Sequence, residues 1–146
     1  MSETEKTVFE RIIAGDLPHR ELYEDELVYA FLDAFPNHPG HSLVVPKAPY
    51  VNIFELPDEV AARMFQIARD LAAAIKEVSG AKGINVVMNN GEAAGQVVFH
   101  AHLHVIPRFE NDGGYIGRRE SFPSDAAADE FAERVRTTLA RIRPGK

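Results

Sequence analysis

Three histidines alternate with apolar residues near position 100 of this sequence. His100, His102 and His104 are separated by Ala101 and Leu103. Side chains of a β-strand alternate between its two faces, so this spacing predicts that the three imidazoles share one face. The chain has six histidines, and three of them on one face indicate chemistry more than packing. The opposite face is expected in the core, with Phe99, Ala101, Leu103 and Val105.

Three neighbouring imidazoles suit two kinds of site. They can bind zinc, which accepts three histidine ligands and one water. They can also provide a nucleophile and its helpers, because a neutral imidazole attacks with one ring nitrogen while the other donates a hydrogen bond. Neighbouring imidazoles disfavour each other's positive charge, which keeps one of them neutral near pH 7.

The loop Asn89–Gly95 precedes the histidines and favours the second kind of site. Gly91 and Gly95 allow backbone N–H groups to approach an anion closely. The amides of Asn89 and Gln96 add neutral polar contacts. We therefore expect this loop to bind a phosphate beside the histidines.

The hydrophobic pattern predicts the elements that position this site. Short apolar runs predict a helix over 8–13 and strands over 21–23, 27–32, 41–45, 84–88 and 97–106, the last of them stopped by Pro107. Between Pro57 and Gly80 the period changes to that of a long amphipathic helix. Its apolar stripe comprises Val60, Met64, Ile67, Leu71, Ile75 and Val78, and Phe131, Val135, Leu139 and Ile142 mark a C-terminal helix.

These elements predict an α+β fold in which an antiparallel meander packs against one long helix. We expect a single domain over residues 1–146. It has a core at about residues 7–108 and a C-terminal extension, with its helix, over 109–146.

Composition excludes several classes of protein. The net charge of −6 argues against a nucleic-acid-binding protein, although it leaves room for a local anion pocket. The chain has no cysteine, which excludes disulfides, thiolate metal sites and a cysteine nucleophile. Residues 1–6 are polar, unlike a signal peptide, and no run approaches the roughly 18 apolar residues that span a membrane. We expect a cytoplasmic protein with no membrane partner.

The sequence resembles the histidine triad family. The motif from His100 to His104, followed by Val105-Ile106-Pro107-Arg108, is similar to that family's signature. Gly95-Gln96 and the segments 31–33 and 39–47 also match, and the segment 8–18 resembles the nucleoside phosphoramidase branch. The resemblance covers about residues 7–108.

This resemblance implies hydrolases or transferases that act at the α-phosphate of a purine nucleotide. By position, His102 would be the nucleophile that forms a nucleotidyl-histidine. His104 would contact the phosphate and assist the leaving group, while His100 and His41 would support these two. Asp33 would accept the ribose hydroxyls. An apolar base pocket would comprise Val8, Phe9, Ile12, Leu17 and Phe31, and the phosphate site would comprise Asn89, Gly95, Gln96 and the backbone of Val97. The family fold is an antiparallel α+β fold, usually paired as a homodimer.

Two features depart from the family pattern. Many bacterial relatives carry a cysteine pair near the N-terminus that completes a structural zinc site with histidines. This chain has Thr7 and Glu10 in place of the cysteines, and Pro49 where such relatives have another histidine. We therefore expect no metal in the protein and no required cofactor, although Mg²⁺ can arrive with the substrate. Phosphoramidases often have a hydroxyl residue after the glutamine, whereas this chain has Val97, which leaves other leaving groups open.

The sequence thus predicts a phosphoramidase-like hydrolase of nucleotide conjugates. A dinucleoside polyphosphate hydrolase, a zinc hydrolase that uses the three histidines, and a nucleotide-binding module with little turnover remain as alternatives. The other two histidines, His19 and His38, are expected at the surface.

Overall fold

A computed structural model describes residues 5–114 and 119–145 of the chain. Part of the predicted polar N-terminus, at residues 1–4, lies outside the described residues. The same is true of residues 115–118 and 146 within the predicted C-terminal extension. Among the described helices, none is both long and apolar enough to cross a membrane.

The described residues form three α-helices and five strands. In chain order they are α1 (Val8–Ile13), β1 (Glu21–Glu24), β2 (Val28–Leu32), β3 (Ser42–Pro46), α2 (Asp58–Ser79), β4 (Gly83–Val87), β5 (Leu103–Arg108) and α3 (Asp125–Ile142). Two short 3₁₀ turns, Ile53–Glu55 and Glu92–Ala94, lie in the loops. The α+β fold class with an antiparallel sheet is confirmed.

The strand order is β1-β2-β3-β5-β4, and each neighbouring pair is antiparallel. The predicted meander is correct for β1 to β3 and wrong beyond them. The connection from β3 to β4 contains the 22 residues of α2, which is long enough to pass over the place that β5 later fills. β3 and β4 are therefore parallel to each other, and a crossover of this length is what parallel strands require.

Two long helices, rather than the one expected, cover one face of the sheet. α2 follows the predicted apolar stripe and ends at Gly80, which has the left-handed φ of 73° that favours glycine. α3 packs against both α2 and β1. Together they bury Leu71 and Ile75 of α2 and Val135 and Leu139 of α3 against the sheet residues Val44 and Val105 and their neighbours.

The other face of the sheet is covered by the short helix α1. Its buried cluster contains Phe9 from the helix with sheet residues Tyr29, Phe31, Leu43 and Val45, and partly buried Ile12, Ile13 and Val98 pack against it. In β5, Leu103 and Val105 belong to the core under α2 and α3. Alternation therefore places His104, between them, on the α1 face.

The last strand is shorter at its start and longer at its end than predicted. Residues 97–102 are not a strand, because their backbone groups bond outside the sheet: Ala101 N donates to the carbonyl of Tyr50, and a side-chain amide donates to the carbonyl of Val98. Pro107 does not stop β5. It pairs with β4 only, beyond the last β5 residue that pairs with β3, where a missing N–H is tolerated.

The later start of β5 changes the predicted placement of the three histidines. Only His104 of the three histidines lies in a strand, so the prediction that all three share one strand face was wrong. Phe99 is 47% exposed and does not belong to the core, whereas Ala101, Leu103 and Val105 are buried as expected.

Gly40 lies just before His41, and α3 supports it from below. Its φ is 104°, and a Cβ atom built there would lie 2.8 Å from Cζ of Phe131. Gly80 also has a positive φ, but a Cβ atom there would meet nothing within 4 Å. The two glycines therefore separate the cost of backbone strain from the cost of a clash.

We expect Gly40→Ala to lower the free energy of unfolding by about 2 to 4 kcal/mol, because it adds a clash to the strain. Gly80→Ala should cost about 1 kcal/mol, because only the strain remains. Urea unfolding measures both. Adding Phe131→Leu to Gly40→Ala should recover part of the loss, and equal losses in the two single variants would contradict the role of Phe131.

Candidate active site

His100 is fully buried and held at both ring nitrogens. Nε2 lies 2.7 Å from the carbonyl oxygen of Pro46, and Nδ1 lies 2.7 Å from the hydroxyl of Thr7. A carbonyl oxygen only accepts, so Nε2 carries the proton and donates it. Nδ1 of the neutral ring is then the acceptor, and Thr7 donates to it.

The neighbouring His102 is held at one ring nitrogen only. Its Nδ1 lies 2.7 Å from the carbonyl oxygen of His100, so Nδ1 carries the proton and donates. Nε2 of the neutral ring then has a lone pair, and within the described residues no hydrogen bond engages it. The ring of Phe9 packs edge-on against both imidazoles, at centroid distances of 5.5 Å from His100 and 5.0 Å from His102.

A third arrangement joins His41 in the loop before β3 to His104 in β5. The backbone N–H of Asn37 donates to Nδ1 of His41 over 2.9 Å, so the proton of the neutral His41 ring lies on Nε2. Nε2 lies 2.9 Å from Nδ1 of His104 and 3.5 Å from Oδ2 of Asp33. His41 therefore donates to His104, whose own proton is left on Nε2.

These hydrogen bonds leave the Nε2 atoms of His102 and His104 with opposite properties. The rings of His102 and His104 are 4.9 Å apart. Nε2 of His102 has a lone pair, and Nε2 of His104 has a proton to donate. One nitrogen can therefore attack an electrophile while its neighbour donates a hydrogen bond to the same group.

Burial keeps all four imidazoles neutral. It is the largest cause that lowers the pKa of each of the four histidines. At His104, burial together with charge repulsion from His102 and His41 lowers the pKa to about 3. The carboxylate of Asp33 opposes the effect at His41 and His102 without reversing it.

The geometry argues against a metal held by the three histidines of the motif, since both ring nitrogens of His100 are already hydrogen-bonded. Among the described residues, Asp33, His41 and His104 form the one group whose ligand atoms all lie within 4.8 Å of one another. His41 does not fit that role. The N–H of Asn37 requires the lone pair on Nδ1, so Nε2 carries a proton and cannot bind a metal.

The loop 89–97 supports the site differently from the expectation. Gln96 is 3% exposed, and its amide accepts from Gly91 N and donates to the carbonyls of Val51 and Val98. This side chain therefore fixes the loop and is not available to a phosphate. Asn89 packs beside Gly95. Val97 is 83% exposed, and its N–H has no acceptor in the part of the chain that the structure describes.

The apolar residues predicted for a base pocket lie on or beside α1. Phe9 and Phe31 are buried, with ring centroids 5.7 Å apart. Ile12 packs against the same cluster, and Leu17 is half-buried. Val8 is 40% exposed and forms the edge of the group.

Four residues around the histidines were not predicted from the sequence. They are the hydrogen-bond partners Thr7, Asn37 and Pro46, and Val98, which packs against the cluster of Phe9. Three of the four act through backbone atoms or apolar contact, for which side-chain type gives no signal. Of the two remaining histidines, His38 was wrongly predicted at the surface, whereas His19 is partly exposed. His38 is 2% exposed and lies 3.1 Å from Asp112, and half-buried His19 bonds to the Tyr29 hydroxyl and the Leu17 carbonyl.

We expect stability to fall as the pH decreases. The four histidines have a folded pKa below 6.5, so they bind protons on unfolding below about pH 7. Their contribution is complete above pH 7 and decreases towards their folded pKa values, at about 1.4 kcal/mol per pH unit for each histidine.

Urea unfolding between pH 5 and pH 8 tests this expectation. His104→Gln removes one of the four histidines that bind a proton on unfolding. The slope of the unfolding free energy against pH should therefore decrease by about 1.4 kcal/mol per pH unit below the unfolded pKa. An unchanged slope in this variant would mean that His104 protonates equally well in the folded state.

Comparisons with known proteins agree with this geometry. The HIT domain matches residues 14–111. The protein named Hit from Bacillus subtilis is 45% identical over 111 residues, which cover 76% of this chain and 77% of that protein. An adenylylsulfatase of Arabidopsis thaliana, HINT3, is 39% identical over 138 residues, which cover 92% of this chain and 70% of that protein.

Solved structures show the same fold. The crystal structure of a zinc-bound histidine triad family protein from Mycobacterium smegmatis superposes with a TM-score of 0.82 at 37% identity. The match covers 96% of this chain and 97% of that one. With the domain match, the relatives and the histidine geometry in agreement, this chain belongs to the histidine triad (HIT) family.

Proposed function

We propose that this protein hydrolyses purine nucleotide conjugates at the α-phosphate through a covalent intermediate on Nε2 of His102. One observation carries the proposal: backbone groups fix the protons of the histidines so that Nε2 of His102 is a free nucleophile and Nε2 of His104 is a donor beside it. The family supplies nucleotide-binding hydrolases and transferases as the class of activity.

In the first half-reaction, the lone pair on Nε2 of His102 attacks the α-phosphorus. The N–P bond forms, and the bond to the leaving group breaks with its electron pair on the leaving atom. His102 becomes a cationic phosphoryl-imidazole, and its Nδ1–H continues to donate to the carbonyl of His100, which stabilises the positive charge. Nε2–H of His104 donates to the phosphoryl group.

In the second half-reaction, water attacks the phosphorus. The N–P bond breaks, its electron pair returns to Nε2 of His102, and the mononucleotide departs. One proton of the water passes to solvent or to the departed group, so the imidazole begins and ends neutral. The buried environment that lowers the pKa of His102 keeps this nitrogen unprotonated for the next attack.

The remaining contacts support a nucleoside on the α1 side. The aromatic and aliphatic residues Phe9, Ile12 and Phe31, with Val8 at the edge, suit the face of a purine. Asp33 accepts from Phe35 N through Oδ1 and has further lone pairs for ribose hydroxyls. The unengaged N–H of Val97 suits a phosphoryl oxygen.

Val97 and the single ring proton of neutral His104 both favour a second class of leaving group. Val97 has no hydroxyl to assist a departing amine, and neutral His104 cannot give up its only proton without becoming an anion. Groups that leave as stable anions need no such proton. Dinucleoside polyphosphates and, by analogy with the Arabidopsis relative, adenylyl sulfate are therefore candidates beside phosphoramidates.

We also propose that the protein forms a homodimer. β4 is an edge strand with an exposed Val86, and an unpaired edge can bind a second copy. Near the end of β4, Asn90 accepts from Ile53 N and so joins two loops that expose apolar side chains. The exposed residues in these loops are Ile53, Phe54, Val97 and Phe99. Grouped apolar exposure of this kind is typical of an interface.

The covalent step is tested by intact-protein mass spectrometry after brief exposure to adenosine 5′-phosphoramidate. We expect a mass gain of one adenylyl group on His102. His102→Ala should lose the adduct and reduce turnover at least about a thousandfold, as loss of a nucleophile does. His104→Asn retains the nucleophile and should form the same adduct more slowly.

Two results would contradict this mechanism. Activity that EDTA removes and zinc restores would indicate a metal hydrolase. Nucleotide binding with neither adduct nor turnover would indicate a binding module.

For the leaving group, kcat/KM is measured for adenosine phosphoramidate, diadenosine tetraphosphate and adenylyl sulfate. Val97→Ser should raise the value for the phosphoramidate relative to the two anhydrides by about tenfold, the effect of one hydrogen bond to a charged group. Val97→Ala is the matched control, because it removes bulk without adding a hydroxyl. Equal changes in both variants would show that residue 97 acts by size alone.

A further inference from the structure

We propose that Thr7 is a positioning residue for the reaction and that its hydroxyl couples α1 to the nucleophile through His100. This inference rests on the proposed function, since it assigns a task to a residue only if His102 attacks. Thr7 precedes α1 and lies 93 residues before His100 in the chain, so sequence proximity does not explain their contact.

The Thr7 hydroxyl both donates and accepts a hydrogen bond. Its proton goes to Nδ1 of His100 over 2.7 Å, and its oxygen accepts the N–H of Glu10 over 3.0 Å. The carboxylate of Glu10 in turn accepts from Thr7 N over 2.9 Å, which completes a capping box at the start of α1. The same hydroxyl therefore begins the helix and donates to a buried histidine whose tautomer the carbonyl of Pro46 fixes.

His100 transmits this contact to the nucleophile. Its ring is fixed between Thr7 and the carbonyl of Pro46, and its own carbonyl accepts Nδ1–H of His102. Phe9, two residues after Thr7, packs against both imidazoles. α1 is thus attached to the histidine segment by the hydrogen bond of Thr7 and by the ring of Phe9, which contacts two imidazoles. The same helix carries residues of the proposed base pocket.

The residues at this place do not fit the structural zinc that the family resemblance suggests. A hydroxyl that donates to Nδ1 of His100 occupies the lone pair that a metal would need, and Nε2 is taken by Pro46. Glu10 is bound to the Thr7 backbone, and Pro49 has no ligand atom in its side chain. In this chain a hydrogen bond fastens α1 to His100.

Three substitutions at position 7 separate donation from helix capping. Thr7→Ser keeps both functions, and adduct formation should stay within twofold of the wild-type rate. Thr7→Val loses both. Thr7→Asp keeps a good cap, but its carboxylate only accepts, so it favours a proton on Nδ1 of His100. For Thr7→Val and Thr7→Asp we expect adduct formation at saturating nucleotide to slow about three- to tenfold.

A matched control comes from the other capped helix. Ser124 caps α3 by accepting from Ala127 N, remote from the histidines in sequence and without contact to them. Ser124→Ala should lower the thermal stability as a lost cap does and leave the rate of adduct formation unchanged. If it slowed the adduct as much as Thr7→Val, the effect would be one of stability, and the proposal would be wrong.

A readout that needs no activity is the ¹⁵N spectrum of the histidine side chains in the free protein. We expect Nδ1 of His100 to be unprotonated at pH 7 in wild type and in Thr7→Ser, and protonated in Thr7→Asp. Wild-type rates and an unprotonated Nδ1 in Thr7→Asp would overturn the role of Thr7. A wild-type protein that forms no adduct would overturn the proposed function instead, and the spectrum would still show whether Thr7 donates to Nδ1 of His100.

Discussion

The site depends on hydrogen bonds between imidazoles and backbone groups whose direction cannot change. The N–H of Asn37 can only donate, and the carbonyls of Pro46 and His100 can only accept. A neutral imidazole with one such partner has no choice of tautomer. Three backbone groups therefore fix which ring nitrogen of His41, His100 and His102 carries the proton. The hydrogen bond from His41 then fixes it for His104.

The two faces of the sheet are covered by different helices, and the histidines lie on the less covered face. α2 and α3 bury the apolar residues of one face, which provides most of the core. The other face then needs only the short α1 to cover it, and the histidines lie between that helix and the sheet. The imidazoles are dry enough to remain neutral, yet Nε2 of His102 stays unengaged by the described residues.

Sequence reasoning predicted most of the fold and the identity of the central residues. Periodicity located α2, because an apolar stripe at helical spacing from Val60 to Val78 has one interpretation, and the alternating strands set the class of the sheet. It did not predict that β5 inserts between β3 and β4, since pairing over such distances leaves no local pattern. It also extended the last strand back to Val97, because alternation cannot distinguish a strand from an extended segment bonded to loops.

The roles of the site residues were only partly readable. Gln96 looked like a phosphate ligand by type, but its amide is consumed within its own loop. Thr7 looked like a lost zinc ligand, and its hydroxyl instead bonds to His100. Asn37 and Pro46 act through backbone atoms, which every sequence has at every position. Side-chain chemistry therefore suggested the reacting groups of the proposed mechanism, and three-dimensional structure was needed to orient them.

The contact between Gly40 and Phe131 has a consequence for how the protein is made. The turn that carries His41 leaves the ribosome long before α3, whose Phe131 ring lies beneath it. Domains acquire their long-range contacts only after both partners have been synthesised. The support beneath His41 therefore depends on α3, which is translated after both histidines of the proposed catalytic pair and contributes no reacting atom to it.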